Sequence, residues 1–404
     1  MALLLGHRVR QVRDLVRRDG VWRTLGMIWQ RMRHGPGQWR RVDVLAHYGF
    51  VYPHVLMPQS GRIEPNSLLW FVPDFNIGSG GHLNIFRTIW HLEQMGYTSN
   101  IVIVRPAMHQ DAETARADIV EHFFPLRASV YMGLAHLPPS EFAIATSWET
   151  AYPVRALTGC ARKLYFVQDY EPYFYPVGTE SILAENTYRF GFFGITAGGW
   201  LAEKLAREYG MHTHAVGFGV EFDRYRRLPR REPEIRRVFF YARPPTPRRA
   251  FELGLLVLNE VSRRRPDTQF VLAGWDTADY QIPFPHLACG TVVLDDLPDL
   301  YSQCDVALVL SLTNLSLLPL ELMACGCAVV SNRGDCVQWL LTDEVAVLTM
   351  ASPEALADAV CDLLEDDDRR HALTERAEAF ARSQAWDVVA RAFESGLHAA
   401  RRDG

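Results

Sequence analysis

Residues 236–254 read RRVFFYARPPTPRRAFELG. The run from Val238 to Tyr241 is apolar at every position. Such a run suits a strand buried on both faces, as in a parallel sheet covered by helices. Three prolines in the next positions, Pro244, Pro245 and Pro247, stiffen the loop that follows. The stretch FELGLLVLNEVSRRRPD (251–267) then repeats apolar residues at helical spacing. Strand, stiff loop and helix make half of a βαβ unit. In open parallel sheets, ligands bind beyond the carboxyl ends of strands. The loop carries Arg243 and Arg248 at such an end. A guanidinium grips phosphate oxygens in pairs. The plainer alternative is a solvated basic loop.

The same alternation runs outward in both directions. Downstream, TQFVLAGW (268–275), GTVVLDDL (290–297), DVALVLSL (305–312) and CAVVSN (327–332) read as strands. LPLELMACG (318–326) reads as a helix between the last two. Helices are expected over 353–382 and 384–402. Upstream, SLLWFVPDF (67–75) is a strand, NIGSGGH (76–82) a turn, and LNIFRTIWHLEQMGY (83–97) an amphipathic helix. YTSNIVIV (97–104), EFAIATSWET (141–150), RKLYFVQDY (162–170) and HAVGFGV (214–220) supply further strands. GFFGITAGGWLAEKLAREYG (191–210) is another strand, turn and helix. The Pro/Arg-rich stretch RLPRREPEIRR (227–237) is the expected linker. The expectation is an α/β protein with two doubly wound, Rossmann-like domains in tandem. A basic helical extension covers 1–48. The first domain covers 49–230 and takes in a crossing helix at 384–402. The second covers 235–383.

A length of 404 residues suits two domains, and 48% hydrophobic with 22% charged residues is ordinary for a globular chain. The net charge of −5 argues against a general nucleic-acid binder. Residues 1–41 nevertheless hold ten Arg against Asp14 and Asp19. This basic arm reads either as a helix on an anionic cytoplasmic leaflet or as an extension packed on the body. Seven cysteines without a CxxC pattern read as reduced core residues in a cytosolic protein. No apolar stretch reaches about 18 residues, so no membrane span is read.

Three more groups are candidates. The turn Gly78, Ser79, Gly80, Gly81 and His82 opens a helix, where amides can face a negative group. A bare structural turn is the alternative, with His82 as a cap. The run SLTNLSLLPLELMACG (311–326) follows a strand end and carries Glu321 in an apolar context. A carboxylate there needs a dedicated partner, either sugar hydroxyls or a structural Arg. Asp169 and Glu171 follow the strand KLYFV; they either position a substrate hydroxyl or cap a turn. Asp366-Asp367-Asp368 spells a metal-binding D-x-D, but it lies beside Arg369 and Arg370, far from strand ends. It reads as a charged helix terminus, and no metal site is assigned.

With these residues in view, the chain resembles glycosyltransferase family 4, retaining enzymes of the GT-B fold. Arg243…Arg248 matches that family's diphosphate-binding Arg…Lys motif, with Arg in the Lys position. DVALVLSLTNLSLLPLELMACGCAVVSN resembles its strand-end signature, and SQAWDVVARAFESGL its closing helix. ITAGGWLAEKL and VGFGVEFDRY resemble its interdomain motifs. The family's E-x7-E keeps its second Glu as Glu321, but Thr313 stands in the first Glu position. Asn314 and Ser316 replace neighbouring glycines. SGGHLNIFR, FVQDYEPYFYPVGTE and YARPPTPRRAFELG are similar, more narrowly, to WsaF-like rhamnosyltransferases of bacterial surface glycans.

The resemblance implies two Rossmann-like domains facing across a cleft. It implies a donor site of Arg243, Arg248, Gly274, Thr313, Asn314, Leu315, Ser316, Leu317 and Glu321, with the Gly78–His82 turn opposite. The implied activity is retaining transfer from a nucleotide sugar, dTDP-L-rhamnose first, to a glycan or lipid-linked glycan in cell-surface polysaccharide synthesis. Arg243 and Arg248, with amides near Asn314–Leu317, would stabilise the leaving diphosphate, and Asp169 and Glu171 would serve the acceptor. No cofactor and no metal are implied. Peripheral membrane contact through 1–41 and self-association are compatible with this reading. Its rivals are a UDP-sugar transferase, a sugar-nucleotide epimerase and a silent GT-B subunit docking a polysaccharide-synthesis complex.

Overall fold

A computed structural model describes residues 43–403. Two compact units divide the chain, 1–51 and 52–404. Of the first, the described part is a helical turn Val44–His47, capped by Asp43, and a 3-10 turn Gly49–Val51. The basic arm 1–41 expected to touch a membrane lies outside the described residues. Among those described, no helix is long and apolar enough to cross a membrane.

The second unit holds two parallel sheets. The first contains β1 (Ser67–Val72), β2 (Thr98–Ile103), β3 (Ser129–Met132), β4 (Phe142–Ala145), β5 (Arg162–Val167), β6 (Phe193–Ala197) and β7 (Thr213–Val216) in the order β3-β2-β1-β4-β5-β6-β7. The second contains β8 (Arg237–Tyr241), β9 (Gln269–Ala273), β10 (His286–Gly290), β11 (Val306–Val309), β12 (Ala328–Asn332) and β13 (Val347–Thr349) in the order β10-β9-β8-β11-β12-β13. In each sheet the order reverses once, between β1 and β4 and between β8 and β11. Such switch points open a crevice at the carboxyl edge.

Helices cover both faces of each sheet. They are α1 (Gly80–Gln94), α2 (Ala112–His122), α3 (Trp148–Ala156), α4 (Thr179–Thr187), α5 (Gly199–Tyr209), α6 (Phe251–Arg264), α7 (Leu297–Ser302), α8 (Leu318–Ala324), α9 (Asp335–Gln338), α10 (Pro353–Glu365), α11 (Asp367–Ser383) and α12 (Trp386–Arg402). Successive strand residues point to opposite faces. Leu68, Trp70 and Val72 therefore enter one core with Phe86 and Phe166, while Leu69 and Phe71 enter the other with Tyr165 and Leu201.

The helix α12 returns to the first sheet. Phe393 packs at 5.7 Å from Trp70 and 5.2 Å from Phe166. Gly396 permits the approach to Ile195 and His214, where a Cβ would find atoms at 3.1–3.3 Å. Arg401 Nε and Nη2 then donate to Glu141 and Asn66.

Two expectations need correction. The strand expected over 290–297 is displaced: β10 ends at Gly290, and TVVL lies in the following loop. The helix expected over 353–382 breaks at Asp366, whose side chain accepts from Arg369 N and caps α11.

Candidate functional site

At the second domain's switch point the loops after β8 and β11 lie side by side, joined by Leu312 N–H donating to Arg248 O (2.9 Å). Three guanidinium groups gather there. Arg243 Nη1 donates to the Tyr241 hydroxyl (3.0 Å) and lies 5.8 Å from the Trp275 ring. Arg243 has no ion pair among the described residues. Arg248 stacks at 3.9 Å over Phe174 of the first domain, and its Nε lies 3.4 Å from Asp169 Oδ2. Arg249 Nη1 donates to Ser311 Oγ (2.7 Å) and to Asn314 O (3.1 Å). Burial holds both Arg248 and Arg249 below the ordinary arginine range against the pull of Asp169, while Arg243 repels both and Arg248 repels Arg249. Asp169 is the one carboxylate ion-paired to this trio among the described residues. The loop is thus short of negative charge. Gly274 contributes through its missing side chain: a Cβ there would lie 2.5 Å from the Tyr241 ring that receives Arg243.

The turn after β11 is fixed from within. Asn332 exchanges two hydrogen bonds with the Ser311 backbone, and Ser311 Oγ donates to Asn314 O. Asn314 bridges the domains. Its Nδ2 donates to Gln168 O (2.9 Å) and Ala197 O (2.7 Å), and its Oδ1 accepts from Trp339 Nε1 (2.7 Å). Thr313 Oγ1 donates to Asp169 Oδ2 and Asn314 N–H to Asp169 Oδ1, both at 2.9 Å. Leu315 N–H donates to Asn314 Oδ1. The amides expected to face a diphosphate across Asn314–Leu317 are therefore half engaged. Those of Ser316 and Leu317, both partly exposed, have no protein partner among the described residues.

Glu321 sits in the first turn of α8, partly exposed. Burial pushes its carboxyl up to about 7, opposed by nearby Arg87 and by a hydrogen bond from Tyr225. It makes no ion pair among the described residues. Arg87, from α1, spends its Nε and Nη2 on Glu221 and packs 4.4 Å from Trp386, leaving Nη1 buried without a partner. The structural Arg weighed as a partner for Glu321 is thus a neighbour committed elsewhere.

In the first domain, β5 feeds Gln168, Asp169 and a 3-10 turn Glu171–Phe174. Asp169 is buried at the domain boundary. Burial raises its carboxyl, against the pull of Arg249 and Arg248. Glu171 differs. Its oxygens accept from Trp148 N–H (2.8 Å) and the Tyr165 hydroxyl (2.7 Å), and burial pushes it up to about 7. Both oxygens are taken by the protein, so Glu171 braces the 3-10 turn instead of facing a substrate. Gly78 has φ of +84°, and nothing lies within 4 Å of a Cβ built on Gly80. The start of α1 is therefore open. His82 Nε2 bonds Pro73 O (3.1 Å) and Nδ1 bonds Ser79 Oγ (2.9 Å). Burial lowers its proton affinity, so the neutral ring donates to Pro73 and accepts from Ser79. His82 shapes the turn.

Sequence reasoning missed Arg249, Gln168, Phe174 and Trp339. Arg249 stood in the quoted loop, one residue from Arg248. Phe174 and Trp339 carry no motif. Asp367 pairs with Arg236 and Arg370, so the acidic run is occupied by arginines.

Residues 236–361 match the family described as WsaF, C-terminal domain. The O-antigen biosynthesis protein RfbC of Myxococcus xanthus is 35% identical over 355 residues, 83% of this chain. The chain spans 27% of the length of that curated relative. Among solved structures, Anabaena HepE in complex with UDP and glucose superposes with a TM-score of 0.65 at 15% identity, over 82% of this chain and 99% of that one. A Staphylococcus aureus TarM variant with UDP, fondaparinux and α-GlcNAc-glycerol gives 0.67 at 8% identity, over 82% and 99%. Two parallel-sheet domains in this arrangement, shared with these structures along their length, make the fold GT-B.

Proposed function

We propose that this chain is a glycosyltransferase that binds a nucleotide-diphosphate sugar between its two domains and takes part in polysaccharide synthesis. One observation carries the reading: Arg243, Arg248 and Arg249 crowd a switch-point loop with a single carboxylate among them. An anion with several oxygens relieves that imbalance, and a diphosphate is such an anion. The WsaF match and the RfbC relative support the class.

In this reading Arg243 and Arg248 stabilise the charge that grows on the leaving diphosphate, with the Ser316 and Leu317 amides beside them. Such donors lower the barrier because they act where charge develops. Glu321 accepts from hydroxyls of the nucleotide sugar. Asp169, whose two oxygens accept from Thr313, Asn314 and Tyr170, holds the turn after β11 against the first domain and so positions the arginine loop instead of contacting the acceptor. Retention follows if the leaving phosphate takes the acceptor's proton on the donor's front face. No metal is assigned, because arginines supply the positive charge. We place the protein in the cytoplasm, with the arm 1–41 as a membrane contact.

The donor proposed first is dTDP-L-rhamnose, on the resemblance of SGGHLNIFR, FVQDYEPYFYPVGTE and YARPPTPRRAFELG to WsaF-like rhamnosyltransferases. UDP-sugars are the second reading, favoured by the UDP held in HepE and TarM. Donor hydrolysis measured across dTDP-L-rhamnose, UDP-glucose and UDP-N-acetylglucosamine separates them. Turnover is expected with one of these and to persist in EDTA. Loss of turnover on chelation would contradict the metal-free site.

A further inference from the structure

We infer that Tyr173, on the 3-10 turn that packs against the arginine loop, is a stacking platform for a pyranose ring of the acceptor glycan. The inference rests on the proposed glycosyl transfer and adds an acceptor subsite to it.

Residues 168–175 read QDYEPYFY. Three of the four aromatic residues are tied in by a hydroxyl hydrogen bond or a guanidinium. Tyr170 is buried, with its hydroxyl paired to that of Tyr209. The Tyr175 hydroxyl accepts from Trp148 Nε1 at 3.0 Å. Phe174 lies against Arg248 at 3.9 Å. Tyr173 is 56% exposed, and its hydroxyl has no hydrogen-bond partner among the described residues. Its backbone is fixed nonetheless. Tyr173 N–H donates to Tyr170 O (3.1 Å), and Glu171 is anchored by Trp148 and Tyr165. The ring leans edge-on against Tyr170, with centroids 4.6 Å apart, and the Lys204 ammonium is 5.9 Å away.

The 3-10 turn 171–174 packs directly on the turn Pro247–Arg249 of the second domain. Tyr173 therefore stands next to the residue that touches the donor arginine. The negative face of an aromatic ring attracts the weakly positive C–H face of a sugar. A tyrosine on a held backbone loses little freedom on binding.

The test is saturation-transfer NMR on the full chain, with methyl glycosides of rhamnose, glucose, galactose and N-acetylglucosamine as probes. At least one glycoside is expected to be saturated through the C–H protons of one ring face. Tyr173→Ala should cut that signal about fivefold or more, and Tyr173→Phe should keep it. Titrations of dTDP and UDP should give affinities within about twofold of the unmodified protein for both variants. An unchanged signal in Tyr173→Ala, or no saturation of any glycoside by the unmodified protein, would overturn the platform. Absent nucleotide binding would strike the transferase reading instead, which keeps the two failures distinct.

Discussion

At the scale of single residues, the site is a problem of unbalanced charge. Arg248 pairs with a buried carboxylate, and Arg243 repels it. Arg248→Ala should lower kcat/KM by about 100-fold or more, since one such donor is worth about 3 kcal/mol in a transition state. Circular dichroism checks that the fold persists. Glu321 allows a test with a sign. Its folded-state carboxyl titrates near 7, above the ordinary 4.5. Between these values the folded state holds a proton that the unfolded state has lost, so stability falls as pH rises through that window. The cost is complete above about 7. Glu321→Gln removes it. The variant's melting temperature should match the unmodified protein near pH 4 and exceed it at pH 8, while nucleotide affinity at pH 8 falls. A variant less stable than the parent at pH 8 would mean that the carboxylate is held by a cation.

At the scale of elements, close backbone approaches fix the frame that carries those residues. A Cβ on Gly254 of α6 would lie 2.0 Å from the Phe240 ring, so the helix rests directly on β8. Gly254→Ala should cost about 1–3 kcal/mol, as overpacking does, and calorimetry would read this as a drop in melting temperature. The elements that bury both strand faces were legible from sequence, as in LLWFV, FVLA and VALV. The edge strand β10 was not, because it pairs on one side alone and needs no long apolar run. The apolar TVVL beside it drew the strand assignment forward. That Arg243 and Arg248 follow a strand end was legible, because the apolar run VFFY directly precedes their loop. The bond from Thr313 to Asp169 was not legible, since 144 residues separate the partners and no motif joins them. Glu171 read as a candidate because sequence does not show that Trp148 and Tyr165 already hold it.

At the scale of the whole molecule, the two sheets meet through Asn314, which bonds Gln168 and Ala197 across the boundary and receives Trp339. Gly198 makes room for the Trp339 ring, within 2.6 Å of where its Cβ would be. Asn314→Ala should loosen this closure. Hydrogen exchange at the amides of 168–175 and 313–317 is expected to quicken, with the sheet cores unchanged. Unaltered exchange would mean that closure is held elsewhere, for instance by α12. If the arginine loop holds a nucleotide diphosphate between these domains, the phosphates carry the binding. Calorimetric titration of dTDP and UDP, with thymidine and uridine as controls, tests it most directly. A diphosphate should bind well below millimolar and its nucleoside far more weakly, and Arg243→Ala with Arg248→Ala should abolish the difference. No binding of either diphosphate at millimolar concentration, or equal binding by the folded double variant, would contradict it.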